Sequence, residues 1–211
     1  MFPDGYYYQH PEEALTVEDY LASRWIAKPL RIHDCDRPVQ GGACYIVTTA
    51  ERAKDMKQPP VYFLNHCVNK FDSRSSVETL DEVEGWMDSL QKKIYEGSGL
   101  TPRDIDVYNP YDGFTHFTQY YLEAMQWHGV KRGEAHDFYA GDISVEGPHP
   151  LLPSGGNNGT GRTRCAIYTD CIQQLRGQAG ERQIRLKAET ALGGETTPGS
   201  SAWTVFGKNP D

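Results

Sequence analysis

Leu151-Leu152-Pro153-Ser154-Gly155-Gly156-Asn157-Asn158-Gly159-Thr160-Gly161-Arg162 runs without a break into a helix-like segment, Thr163 to Arg176. Four glycines, two asparagines and one proline within these twelve residues argue against a helix or a central strand. They predict a loop that brings backbone close to something, because glycine tolerates φ > 0 and has no Cβ to obstruct a ligand. A helix starting just beyond it aims free N–H groups back into the loop, a place for an anion or a developing oxyanion. A flexible surface turn is the alternative reading, and the rest of the chain has to decide between them.

The 211 residues make one large domain or two small ones, enough to bury a core. Hydrophobic residues at 38% and charged residues at 24% describe an ordinary globular chain. A formal charge of -8 with no basic stripe argues against nucleic-acid binding, which needs cations to neutralise phosphates. The start, Met1-Phe2-Pro3-Asp4-Gly5-Tyr6, lacks the basic residues and apolar run of a signal peptide, and no apolar segment approaches the ~18 residues of a membrane span. A cytoplasmic location is the expectation. Cys35, Cys44, Cys67, Cys165 and Cys171 are odd in number and scattered, the pattern of free thiols. His33, Cys35, Cys44, His66 and Cys67 contain no CxxC pair, so no metal site is expected from them.

Taken in order, residues 1 to 14 look like an arm, and Thr16 caps a short helix over 16 to 26 with Asp19 three residues on. Residues 1–30 form the arm and linker helix; residues 31–211 form the main domain. Ala43-Cys44-Tyr45-Ile46-Val47-Thr48 is β-rich and predicts a buried strand. A brief helix at 50 to 56 and a strand at 61 to 64 follow, then a polar loop at 69 to 76. Leu80, Val83, Trp86, Met87, Leu90 and Ile94 recur at intervals of three and four, which makes 77 to 96 an amphipathic helix. Strand at 105 to 108, helix from Phe114 to about His128, a short helical piece at 134 to 138, and terminal strands at 184 to 192 and 202 to 206 complete the reading. Strands alternating with helices predict an α/β layered mixed sheet with helices on both faces. Loops 109 to 113 and 153 to 162 both lie at strand ends facing helix starts, where open α/β sheets bind ligands.

Five collinear segments carry a family resemblance. They are Val17 to Leu30 with Thr49-Ala50-Glu51-Arg52-Ala53, Gly99-Leu100-Thr101-Pro102-Arg103-Asp104-Ile105-Asp106, Lys131-Arg132-Gly133-Glu134-Ala135, Pro153-Ser154-Gly155-Gly156, and Gln174-Leu175-Arg176-Gly177-Gln178-Ala179-Gly180. In this order they resemble the thiolases of the sterol-carrier type. The likeness implies the C-terminal half of the thiolase fold, with a layered mixed five-stranded sheet, packing against a similar N-terminal half. It also implies that the nucleophilic cysteine belongs to that other half. A partner carrying it, or self-association into an oligomer, is therefore expected, because a lone half leaves an apolar face bare.

Departures from the family pattern redirect the chemistry. Thiolases carry a Gly-His-Pro histidine after the Ser-Gly-Gly-like segment; here the place reads Gly159-Thr160-Gly161-Arg162. Gly147-Pro148-His149-Pro150 precedes that segment, so His149 is a decoy. The second catalytic cysteine is missing from Leu192-Gly193-Gly194-Glu195-Thr196-Thr197-Pro198-Gly199. Thiolysis has lost its acid/base groups. Tyr111-Asp112-Gly113-Phe114 instead resembles the thiolase-like lipid-transfer aldolases of steroid side-chain breakdown, which cleave a β-hydroxyacyl-CoA with tyrosines as acid/base groups. That implies Tyr111 and Asp112 as catalytic residues and Ser154, Gly155, Gly156 and Asn157 as oxyanion or substrate contacts. Arg162 and Arg164 are candidates for the CoA phosphates, with solvated arginines as the bland alternative. No bound cofactor is implied beyond the coenzyme A thioester as substrate. Those aldolases carry a second tyrosine after Ser-Gly-Gly, absent from Asn157 to Gly161. A non-catalytic subunit, or an acyl-CoA or lipid-binding module, stays open beside the enzyme reading.

Overall fold

The computed structural model of the protein describes residues 5–70, 79–197 and 200–210. In chain order the elements are α1 (Tyr6–Gln9), α2 (Val17–Ala22), β1 (Trp25–Ala27), β2 (Leu30–Arg31), α3 (Ala50–Ala53), β3 (Tyr62–Lys70) and α4 (Leu80–Ser98). They continue with β4 (Val107–Pro110), α5 (Thr115–Ala124), α6 (Ala135–Tyr139), α7 (Gly156–Thr160), α8 (Cys165–Arg176), β5 (Thr190–Thr197) and β6 (Ser200–Gly207).

The main sheet has four strands in the order β3-β6-β5-β4, with a separate two-stranded ribbon β1-β2. Among the described residues the expected fifth strand is absent from it. β4 runs parallel to β5, and the other pairs are antiparallel, so the sheet is mixed as expected. Alternation along the strands sorts the core into two layers. Tyr108, Leu192, Trp203 and Val205 face Met87, Leu90 and Ile94 of α4 and Tyr121 and Leu122 of α5. Val107, Ala191 and Phe206 face Cys171 and Leu175 of α8. Period-two strands and period-3.6 helices thus meet on both sides of one sheet. The buried polar tips are matched: Tyr108 donates to Tyr121 O at 2.8 Å, Tyr95 to Met125 O at 2.8 Å, and Trp127 Nε1 to Ile105 O at 2.7 Å.

α4 follows its periodicity closely. Thr79 and Glu82 form a capping box, and Gly99 closes it in the left-handed conformation at φ 70°. Thr16 and Asp19 make the predicted cap of α2, but that helix stops at Ala22; Trp25 to Ala27 pairs instead with Leu30-Arg31. β3 extends to Lys70, into the expected polar loop, whose remaining residues 71–76, like residues 77 and 78, lie outside the described ones. α3 and α5 end short of expectation at Ala53 and Ala124, and the last hairpin begins at Thr190 rather than Ile184.

Ala43 to Thr48 overturns the expected buried strand. The whole segment is exposed, with Ile46 at 77% and Val47 at 68%, and no described strand pairs with it. Its β-rich composition describes fitness for a pleated, half-buried surface rather than a backbone preference, and among the described residues no strand pairs with it.

Candidate functional site

The glycine-rich stretch and the end of β4 meet. Residues 156–160, expected to be loop, form the single turn α7. Intrinsic propensity opposes this turn, and Asp112 supplies the compensation. Its Oδ1 accepts from the backbone N–H and side-chain Nδ2 of Asn157, the latter at 3.0 Å, and its Oδ2 accepts from Asn158 N at 3.2 Å. Asn158 Nδ2 donates to Asp112 O at 2.7 Å. Gly156 allows the approach: it sits at φ +63°, and a Cβ there would lie 2.0 Å from Asp112 Oδ2. Burial pushes the Asp112 carboxyl up, and the Asn157 and Asn158 donors pull it back.

The N–H groups marked by the sequence as oxyanion donors are engaged within the chain. Gly155 N donates to Leu152 O at 2.8 Å, and Gly156 N to Ser154 Oγ at 3.1 Å. Ser154 and Asn157 are each 1% exposed. Asn157 Oδ1 accepts from Arg164 N at 3.1 Å, so this asparagine ties Asp112 to the turn that opens α8.

Tyr111 continues the line of β4, its N donating to Gly194 O at 2.8 Å. It is 3% exposed. Its Oη donates to Asp36 Oδ2 at 3.1 Å. Asp36 Oδ1 receives Arg162 Nε at 2.7 Å and Nη2 at 2.6 Å. The strand-like segment carrying Asp36 is held by Asp36 N to Gly113 O at 2.9 Å and Arg162 N to Arg37 O at 2.8 Å. Arg164 lies with its guanidinium 5.3 Å from the Tyr111 ring and its Nε 3.3 Å from Glu195 Oε2. Burial, then Asp36, push the Tyr111 phenol up, and Arg164 pulls it down. Burial also raises the Glu195 carboxyl, against Arg164.

All the candidates therefore gather in one cluster: Tyr111, Asp112, Ser154, Gly155, Gly156, Asn157, Arg162 and Arg164. Sequence reading missed Asp36 and Glu195. Glu195 stands in the hairpin segment inspected only for a cysteine, and Asp36 follows Cys35 with no spacing signal to Tyr111, 75 residues away. His149 does not join the cluster; it packs at a tilt against His128 with ring centroids 4.3 Å apart, beside Trp127 and Phe138. A separate cavity of about 280 Å³ between α4 and α5, lined by Glu84, Met87, Asp88, Tyr120, Glu123 and Arg132, shares no residue with it. Among the described residues, potential metal ligands gather only at His10, Glu12 and Glu13 on the arm, and the five cysteines are unpaired. No described helix is long and apolar enough to cross a membrane.

The family described as thiolase C-terminal domain-like matches residues 72–206, and the chain belongs to it. Among curated relatives, the 17-hydroxy-3-oxo-4-pregnene-20-carboxyl-CoA lyase of Mycobacterium tuberculosis is 37% identical over 90% of this chain and 51% of its own length. The steroid side-chain-cleaving aldolase of Thermomonospora curvata is 33% identical over 74% of this chain and 40% of its own. Among solved structures, the Ltp2-ChsH2(DUF35) aldolase superposes with a TM-score of 0.77 at 26% identity, covering 97% of this chain and 53% of that one. The chain thus spans about half the length of the relatives it matches.

Proposed function

We propose that this chain contributes the acid/base side of a thiolase-like assembly that breaks a carbon–carbon bond in a CoA thioester by retro-aldol cleavage rather than thiolysis. The observation that carries this reading is Tyr111: a phenol at the end of β4, raised by burial and hydrogen-bonded to a carboxylate, in a chain without the thiolase histidine. The names of the relatives, a carboxyl-CoA lyase and a steroid side-chain-cleaving aldolase, favour a steroid or similar lipid acyl-CoA. In the cleavage, Tyr111 takes the proton of the β-hydroxyl, the C–C bonding pair moves into the thioester enolate, and the carbinol carbon leaves as a ketone or aldehyde. The enolate then takes up a proton, so no co-reactant is consumed. Asp112 holds α7 in register with Tyr111, Ser154 to Asn157 form the wall, and Arg164, its side chain 53% exposed against 45% for Arg162, is the more open of the two to a CoA phosphate.

A thiolase-like N-terminal half, on this chain or a separate one, is the proposed partner. Tyr45, Ile46, Val47, Phe63 and Val68 are all exposed at 42% or more and would be covered by it. In the complete assembly, Tyr111→Phe is expected to lower kcat about 100- to 10,000-fold, the range of a lost general acid/base, with substrate cleavage followed by carbonyl product release. Unchanged turnover would remove Tyr111 from the reaction. That outcome would favour the second reading, a non-catalytic subunit or acyl-CoA-binding module, which the internal engagement of the Gly155 and Gly156 N–H groups supports.

A further inference from the structure

Building on the retro-aldol reading, we infer that Asp36 and Arg162 are a positioning pair that fixes the phenolic proton of Tyr111, so that its oxygen meets the substrate hydroxyl as an acceptor. A phenol has one proton, and an ionised carboxylate only accepts. With that proton directed to Asp36 Oδ2 at 3.1 Å, what Tyr111 Oη still offers is lone pairs. Arg162 anchors the arrangement: Nε and Nη2 both donate to Oδ1, at 2.7 and 2.6 Å, charge-assisted bonds that hold the carboxylate and leave Oδ2 to the phenol. The Asp36 side chain is 0% exposed, so water does not compete for Oδ2.

Gly113 completes the seat. A Cβ there would lie 2.0 Å from Tyr111 Oη, so the phenol rests directly on this residue's backbone, and Gly113 O also accepts the N–H of Asp36 at 2.9 Å. Asp36 and Gly113 thus meet at the phenolic oxygen, and Arg162 acts on it through Asp36. When the β-hydroxyl proton reaches Tyr111 Oη, the phenol's own proton moves to Asp36 Oδ2, so Tyr111 remains neutral throughout. That proton then returns through Tyr111 to the enolate carbon, so the step consumes no co-reactant. The charged and titratable groups facing the phenol are Asp36 and Arg162 from the two loops, Arg164 with its partner Glu195, and Tyr121 from α5.

The test is a titration of the full chain labelled with ¹³Cζ-tyrosine, the Tyr111 resonance being assigned with Tyr111→Phe. Asp36→Asn removes a negative charge and is expected to let the phenol ionise at lower pH; Arg162→Gln removes a positive charge and is expected to push it higher. Loss of packing would move both variants toward the ordinary tyrosine value, hence both downward, so opposite shifts exclude a folding artefact. Shifts in the same direction, or none in either variant, would overturn the inference. In the complete assembly, Asp36→Asn is expected to lower kcat about 10- to 100-fold with KM within about twofold. Failure of Tyr111→Phe to affect turnover would sink the retro-aldol reading, while the titration would still decide whether Asp36 and Arg162 govern this phenol.

Discussion

Two aspartate–arginine pairs flank the end of β4, and they differ in what encloses them. Asp170 of α8 pairs with Arg182, their side chains 0% and 6% exposed. Asp170 also accepts Asn109 Nδ2 at 3.0 Å, while Gln174 donates to Arg182 O at 2.7 Å and accepts from Ile184 N at 3.0 Å. That network joins β4, α8 and the chain beyond it into a dry unit. Asp36 and Arg162 have the same chemistry, with the arginine 45% exposed and a phenol in place of the amide as third partner. A sealed pair with an amide partner holds architecture together; a pair open on its cation side with a titratable partner can tune a reactive group. Charge and residue type are shared, so enclosure and the third partner make the difference.

Removing the cation from each pair ranks them. Arg182→Met strands the Asp170 charge among buried neighbours and is expected to cost about 3–5 kcal/mol, read as a fall in the urea unfolding midpoint. Arg162→Gln leaves Asp36 with the Tyr111 hydroxyl and with solvent at the vacated side, for a smaller loss of about 1–2 kcal/mol in the same experiment. Equal losses would show that enclosure does not separate the pairs. The reference is Lys92 with Glu96 on α4, 3.8 Å apart and 70% and 68% exposed: Lys92→Ala is expected to change stability by no more than about 0.5 kcal/mol. A larger change there would mean that α4 depends on its outer face more than its buried residues indicate.

Legibility followed the range of the interactions. α4 was readable because its apolar spacing and its Thr79-Glu82 cap act within a few residues, and the same holds for the cap of α2 at Thr16. Ala43 to Thr48 was misread because a strand needs a neighbour that composition does not reveal. α7 was missed because its stabilising partner, Asp112, lies 45 residues upstream. In the site, Tyr111 and the 154–157 stretch were visible as a family pattern with telling departures. Asp36 was not, since it reaches the phenol across a separation no local motif records.

The sequence by itself determined the α/β class, the family, the missing histidine and cysteine, and a tyrosine at a strand end. These depend on residue identity and short-range order. Tertiary structure alone decided that four strands among the described residues form the main sheet, that the glycine-rich segment is clamped into a helical turn by Asp112, and that the Asp36–Arg162 ion pair meets the Tyr111 hydroxyl. The physical reason is that a hydrogen bond acts over about 3 Å, and only folding brings residues 111 and 162 within that distance of residue 36.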